Sequence, residues 1–99
     1  MSVHNFPNVS LLITHFNRPD SLRRLLERFN SLSCYFGEII VSDDCSKKDN
    51  LAKLAKLKDE FDFTLVTSTV NKGLGNNLNK GQDRVSKPYT LYVQEDFVP

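Results

Sequence analysis

Three short clusters in this 99-residue chain carry side chains able to do chemistry: Thr14-His15-Phe16-Asn17, Asp43-Asp44 and Gln94-Glu95-Asp96. Adjacent carboxylates repel, so a fold that keeps Asp43 beside Asp44 needs a use for them: a helix cap, a metal site or a grip on a ligand. One of the two could be a cap or turn residue. Ser46 already fits the cap of the helix that follows, which argues against both being caps. A carboxylate at a strand end accepts hydrogen bonds from the N–H of a base or the hydroxyl of a ribose. Glu95 and Asp96 suit a hard divalent cation, Mg²⁺ or Mn²⁺, because both ions favour carboxylate oxygen. On spacing alone the signal is weak, because two acids in a loop are usually solvated.

A fourth stretch, Asn71-Lys72-Gly73-Leu74-Gly75-Asn76-Asn77, holds a lone GxG. It reads either as a turn with positive φ at a helix start or as backbone approaching a phosphate, with Lys72 adding charge. His15 and His4 have no partner pattern. His15 reads as a satisfied or partly buried loop histidine, and His4 as part of a loose terminus.

The elements that position these clusters follow from hydrophobic periodicity. Val9 to Thr14 is nearly continuously apolar, as in a strand buried on both faces of a parallel sheet. Beyond Arg18-Pro19, Asp20 or Ser21 can cap a helix with Leu22, Leu25, Leu26, Phe29 and Leu32 on one face, and Gly37 ends the connection. Glu38 to Asp43 forms a second strand. Ser46 to Asp49 fits a capping box opening a helix with Leu51, Leu54, Ala55 and Leu57 on its apolar face. Phe63 to Ser68 is a third strand. A helix with Leu74, Leu78 and Val85 on one stripe runs to about Ser86, and Tyr89 to Val93 is a fourth strand. Strands alternating with helical patterns predict successive βαβ units, hence an α/β fold with an open parallel sheet of about four strands. In such sheets ligands bind beyond the carboxyl ends of the strands, where all three clusters fall.

Composition narrows the function classes. The net charge of +1 gives no electrostatic case for nucleic acid, and 39% hydrophobic with 25% charged residues is ordinary for a soluble domain. The lysines from Lys47 to Lys58 read as the solvated face of a helix. No apolar run reaches the roughly 20 residues of a membrane span, and no signal-peptide pattern opens the chain. Cys34 and Cys45 lack metal-ligand spacing and read as free thiols of a reducing compartment, with the cytoplasm as default. GxxxxGK[ST] is absent, and no GxGxxG opens the first helix.

Together these stretches resemble the nucleotide-sugar-dependent glycosyltransferases of family 2, whose catalytic domain has the GT-A fold. VSLLITHFNRPDSLRRLLERF looks like that family's opening strand, Asn-Arg loop and first helix. EIIVSDDCSKKDN looks like its strand ending in Asp-Asp-x-Ser-x-x-Asp, NKGLGNNLNKG like its Asn-x-Gly loop, and YTLYVQEDFVP like its strand running into the metal-binding Asp-x-Asp and a proline. The similarity runs from about Val9 to Pro99, leaving residues 1–8 as an N-terminal extension. It implies that Thr14 and Phe16 line the base pocket, with Phe16 in place of the usual tyrosine. It implies further that Asp44 hydrogen-bonds the base, that Asp43 supports the loop or reaches the ribose, and that Asn17, Lys72 and Gly73 belong to the same nucleotide site. Asp96 would be the principal ligand of Mg²⁺ or Mn²⁺, and Glu95 would contact the ribose or the metal.

Gln94 departs from this pattern, standing where the first aspartate of the metal motif usually sits. Cys45 occupies a position often held by glycine, and nothing nearby would activate it as a catalytic thiol. In the family, the acceptor-binding half and the general base follow the metal motif. The resemblance therefore implies the nucleotide-binding part of a longer transferase, truncated after that motif, without independent turnover and prone to self-association. Its donor would be a nucleotide sugar, most commonly a UDP-sugar, and its acceptor a glycan or other hydroxyl. A non-catalytic nucleotide-sugar-binding or assembly module of the same fold is the alternative. A receiver-like phosphoacceptor is a poor rival, because its acidic pair would have to follow the first strand.

Overall fold

A computed structural model describes residues 3–97 of the chain. Strands and helices alternate as β1 (His4–His15), α1 (Pro19–Ser31), β2 (Cys34–Asp43), α2 (Lys48–Phe61), β3 (Thr64–Val66), α3 (Leu74–Gln82) and β4 (Tyr89–Gln94). All pairings are parallel, in the order β3-β2-β1-β4. This is the open parallel α/β sheet that the periodicity predicts. β1 lies between β2 and β4, and its Leu11, Leu12 and Ile13 have no exposed surface.

α1 and α2 share one face of the sheet. Leu22, Leu25, Leu26 and Phe29 of α1 and Leu54 and Leu57 of α2 pack over Leu11, Ile13, Val41, Phe63 and Val93. Burying each large aliphatic side chain there contributes on the order of 1.5–3 kcal/mol. Leu32 and Ala55, expected on the buried stripes, are instead exposed: Leu32 is the C-cap of α1, and Ala55 faces away from the sheet.

Both expected helix caps are corrected. Pro19 starts α1 after Arg18, and neither Asp20 nor Ser21 caps it. A proline at N1 needs no side-chain acceptor, having no N–H. Lys47 precedes α2, and Ser46 makes no capping bond because its hydroxyl is directed to Asp43.

β1 begins at His4, and His4 to Phe6 pair with Cys34 to Phe36. His4 is therefore strand rather than loose terminus, and its N–H donates to the Ser33 carbonyl at 2.8 Å. The register shifts between Phe6 and Ser10, around Pro7, which has no N–H to give the ladder. Gly37 lies inside β2 rather than ending a connection.

α3 differs most from expectation. It stops at Gln82, and the residues it buries are Asn77 and Gly81, while Leu74 is exposed. A Cβ at Gly81 would stand 2.5 Å from Leu12 Cδ1 and 3.0 Å from Ser42 Cβ. The backbone of α3 thus rests almost directly on the sheet, leaving no room for a leucine stripe.

At Gly37 an added Cβ would meet the Pro7 carbonyl oxygen at 2.2 Å, a backbone contact that cannot rotate away. Gly37→Ala is expected to lower unfolding stability by about 1–3 kcal/mol in urea denaturation. An unchanged midpoint would contradict the close approach of Pro7 to β2.

Candidate functional site

β1, β2 and β4 end side by side, with Thr14 opposite Ser42 and Gln94, and His15 opposite Asp43. The turns leaving them enclose a cleft of about 330 Å³ whose lining includes Thr14, Phe16, Asp44, Leu74, Asn77 and Glu95. Phe16 and Leu74 are exposed at 42% and 51%, so an aromatic ring and an aliphatic chain are free to cover a flat ligand. Thr14 is buried, its hydroxyl 2.9 Å from that of Tyr92. A larger groove of about 570 Å³ lies at the amino end of the strands among Phe29, Tyr35, Phe36 and Phe63. None of the three clusters borders it, and open parallel sheets bind ligands at the carboxyl end.

The two aspartates face different partners. Asp43 has no exposed surface. Its Oδ1 lies 2.7 Å from His15 Nδ1 and accepts the Ser46 hydroxyl, while its Oδ2 accepts the Ser46 N–H at 2.9 Å. Burial alone would raise its pKa, but the hydrogen bonds from His15 and Ser46 outweigh it and hold the carboxyl below the usual range. Asp43 does not line the cleft; of the two roles implied for it, the geometry favours loop support. Asp44 does line the cleft, and its two oxygens accept the N–H groups of Lys72 and Gly73, each at 2.9 Å. Gly73 adopts φ +86 there and precedes α3, so the GxG forms a turn whose backbone is held by a carboxylate. Lys72 reaches this centre through its backbone.

Several residues in the site had not been singled out. The Asn77 amide donates to the Ser42 carbonyl at 2.8 Å, and the Ser42 hydroxyl donates to Asn77 Oδ1 at 2.7 Å. The Lys80 ammonium donates to the Asp43 carbonyl at 2.6 Å and to the Ser68 hydroxyl, and burial lowers its pKa. Asn17, by contrast, was expected in the nucleotide site but does not line the cleft; its Oδ1 accepts the Lys47 N–H at 2.8 Å and the Asn50 amide at 3.0 Å. An asparagine in a helix carries no sequence mark of burial, and Lys80 reads as a solvated lysine until its helix is placed.

Glu95 and Asp96 form the turn after β4, where the Glu95 N–H donates to the Thr14 carbonyl at 3.2 Å. Burial raises the Glu95 carboxyl above the ordinary glutamate range, and the charge of Asp96 acts in the same direction. Arg18 reaches both acids, with Nε 3.9 Å from Glu95 and Nη1 3.7 Å from Asp96. Among the described residues no group of three or more His, Cys, Asp or Glu could hold a metal. Two carboxylates nevertheless fit a cation whose shell is completed by phosphate and water. The proline of the motif, Pro99, lies outside the described residues.

The family model for Glycosyl transferase family 2 matches residues 10–99. The chain belongs to that family. It is 26% identical over 98 residues to the poly-beta-1,6-N-acetyl-D-glucosamine synthase of Staphylococcus aureus (strain MSSA476), covering 99% of this chain and 24% of the synthase. The chain thus spans about a quarter of the length of the curated relatives it matches. Its fold is shared with the mannosyltransferase PcManGT from Pyrobaculum calidifontis, solved in complex with GDP-Man and Mn²⁺, at TM-score 0.72 and 17% identity over 96% of this chain and 30% of that one. It is shared also with S. aureus TarS 1-349 in complex with UDP, at TM-score 0.66 and 23% identity over 90% of this chain and 27% of that one. The sheet described here is accordingly the GT-A type of α/β fold.

Because the folded Asp43 carboxyl titrates below its unfolded value of about 3.9, its stabilising contribution is fully present above that pH. It declines as pH falls from there through the folded value. The stability difference between the native chain and Asp43→Asn, followed by urea denaturation, is expected to shrink steadily below about pH 4. A difference independent of pH would contradict the pairing.

Proposed function

We propose that this family 2 chain is the donor-binding part of a glycosyltransferase that moves a sugar from a nucleoside diphosphate to an acceptor hydroxyl, with inversion. The observation that carries this reading is the cleft itself, in which Thr14, Phe16, Asp44 and Glu95 come together from three strand ends. Phe16 would stack on the base, and Asp44 would use its remaining lone pairs to accept a base N–H while still holding the turn at Lys72 and Gly73. A UDP-sugar is the proposed donor, and the GDP-Man and UDP bound by the two structural neighbours support a nucleotide ligand.

Asp96, with Glu95, would hold Mg²⁺ or Mn²⁺. Such an ion stabilises negative charge on the leaving diphosphate. Arg18, now beside both acids, would move or share them when a cation enters. The acceptor would be a glycan or other hydroxyl. No helix of the described residues is long and apolar enough to cross a membrane. Tyr89 and Leu91 are exposed on β4, one of the two edge strands, and this edge is where the chain would self-associate. The second reading, a nucleotide-sugar-binding module without chemistry, draws support from the neutral Gln94.

The test is titration with UDP, GDP and dTDP, with and without Mn²⁺, followed by backbone amide shifts. Shifts at Thr14, Phe16, Asp44 and Asp96 are expected with one nucleotide, sharpened by Mn²⁺. Phe16→Ala should weaken that binding roughly tenfold, the size of one lost base–aromatic stack. Asp96→Ala should remove the Mn²⁺ effect. Silence of the folded chain at millimolar nucleotide would reject the proposal.

A further inference from the structure

We infer that His15 is a positioning residue of the cleft, a neutral imidazole carrying its proton on Nδ1 that sets Phe16 and Asp44 against each other. The positioning role rests on reading the cleft as a nucleotide site.

The His15 side chain has no exposed surface. Its Nε2 lies 3.1 Å from the backbone N of Arg18, a group that can only donate. Nε2 must therefore present its lone pair, which leaves the ring proton on Nδ1, 2.7 Å from Asp43 Oδ1. The imidazole is held at both nitrogens, by the start of α1 on one side and the end of β2 on the other.

The two turns joined by this ring have the same plan. After β1 the order is His15, Phe16, then Asn17 at φ +51; after β2 it is Asp43, Asp44, then Cys45 at φ +59. In each, a buried member of the His15–Asp43 pair is followed by a residue lining the cleft and then by a left-handed residue that is not glycine. Such backbone persists only where its surroundings hold it. Here they do: the Asp44 N–H donates to the His15 carbonyl at 3.0 Å, and the Asn17 N–H donates to the Ser46 hydroxyl at 2.8 Å. Ser46 in turn donates to Asp43. Ser, His and Asp are thus adjacent without forming a nucleophilic relay: His15 Nδ1 lies 3.4 Å from the Ser46 hydroxyl, but it carries the ring proton toward Asp43 and has no lone pair to offer the serine.

Two measurements decide the inference. A long-range ¹H–¹⁵N correlation spectrum of the His15 ring at neutral pH should show the Nδ1–H tautomer; the Nε2–H tautomer would overturn the assignment whatever the chain binds. UDP affinity, normalised to the folded fraction, should fall about tenfold in His15→Leu, which cannot donate to Asp43. His15→Asn, whose amide can take the place of Nδ1–H, should recover most of that loss. A folded His15→Leu with native affinity, or an Asn variant no better than Leu at equal folded fraction, would overturn the positioning role. Should Leu not fold, Ser46→Ala removes the acceptor of the Asn17 N–H and must also weaken UDP binding. If the native chain binds no UDP, the nucleotide reading and the positioning role fail together, while the tautomer result still stands.

Discussion

A carboxylate sealed from water is costly unless each oxygen finds a donor, and Asp43 imposes this requirement at the centre of the molecule. His15 and Ser46 meet it, and doing so brings the end of β1 against the end of β2. The same serine takes the Asn17 N–H, and the Asn17 side chain takes the first N–H of the α2 approach. Satisfying one buried charge thereby fixes where both helices on that face begin. It also fixes the direction of Phe16 and Asp44, the residues next in sequence to the pair.

The opposite face of the sheet is organised by polar rather than apolar contacts. α3 approaches closely because Gly81 has no side chain, and Asn77 binds Ser42 through both its amide and its carbonyl oxygen. Lys80 ties the same helix to the Asp43 carbonyl. Asp44 anchors the turn before α3 by two backbone N–H groups, so the helix is located by carboxylate, amide and ammonium together. Such a network holds its geometry well when complete and is vulnerable wherever one partner is lost.

The sheet and two helices were legible in the sequence because their signals are apolar and periodic. Val9 to Thr14 read as a doubly buried strand and Glu38 to Asp43 as a second strand, and Leu22, Leu25, Leu26, Phe29, Leu54 and Leu57 marked the faces that pack. The clusters at the strand ends were legible too, since parallel topology sends them to one edge. Other features were not. Leu74, Leu78 and Val85 mimicked a packing stripe, although the real contact is Asn77 and Gly81, whose residue types carry no burial signal. Ser46 satisfied a capping pattern but was claimed by a carboxylate three residues earlier. His15 looked partnerless because its partner is 28 residues away. Long-range polar pairing leaves no local periodicity to read.

The proposed nucleotide site is the carboxyl-end cleft rather than the larger groove at the amino end. Intermolecular NOEs from the base and ribose protons of bound UDP test it most directly. Contacts are expected from the base to the Phe16 ring and from the nucleotide to Thr14 and Leu74. Contacts instead to Tyr35, Phe36 or Phe63 in the opposite groove would contradict it.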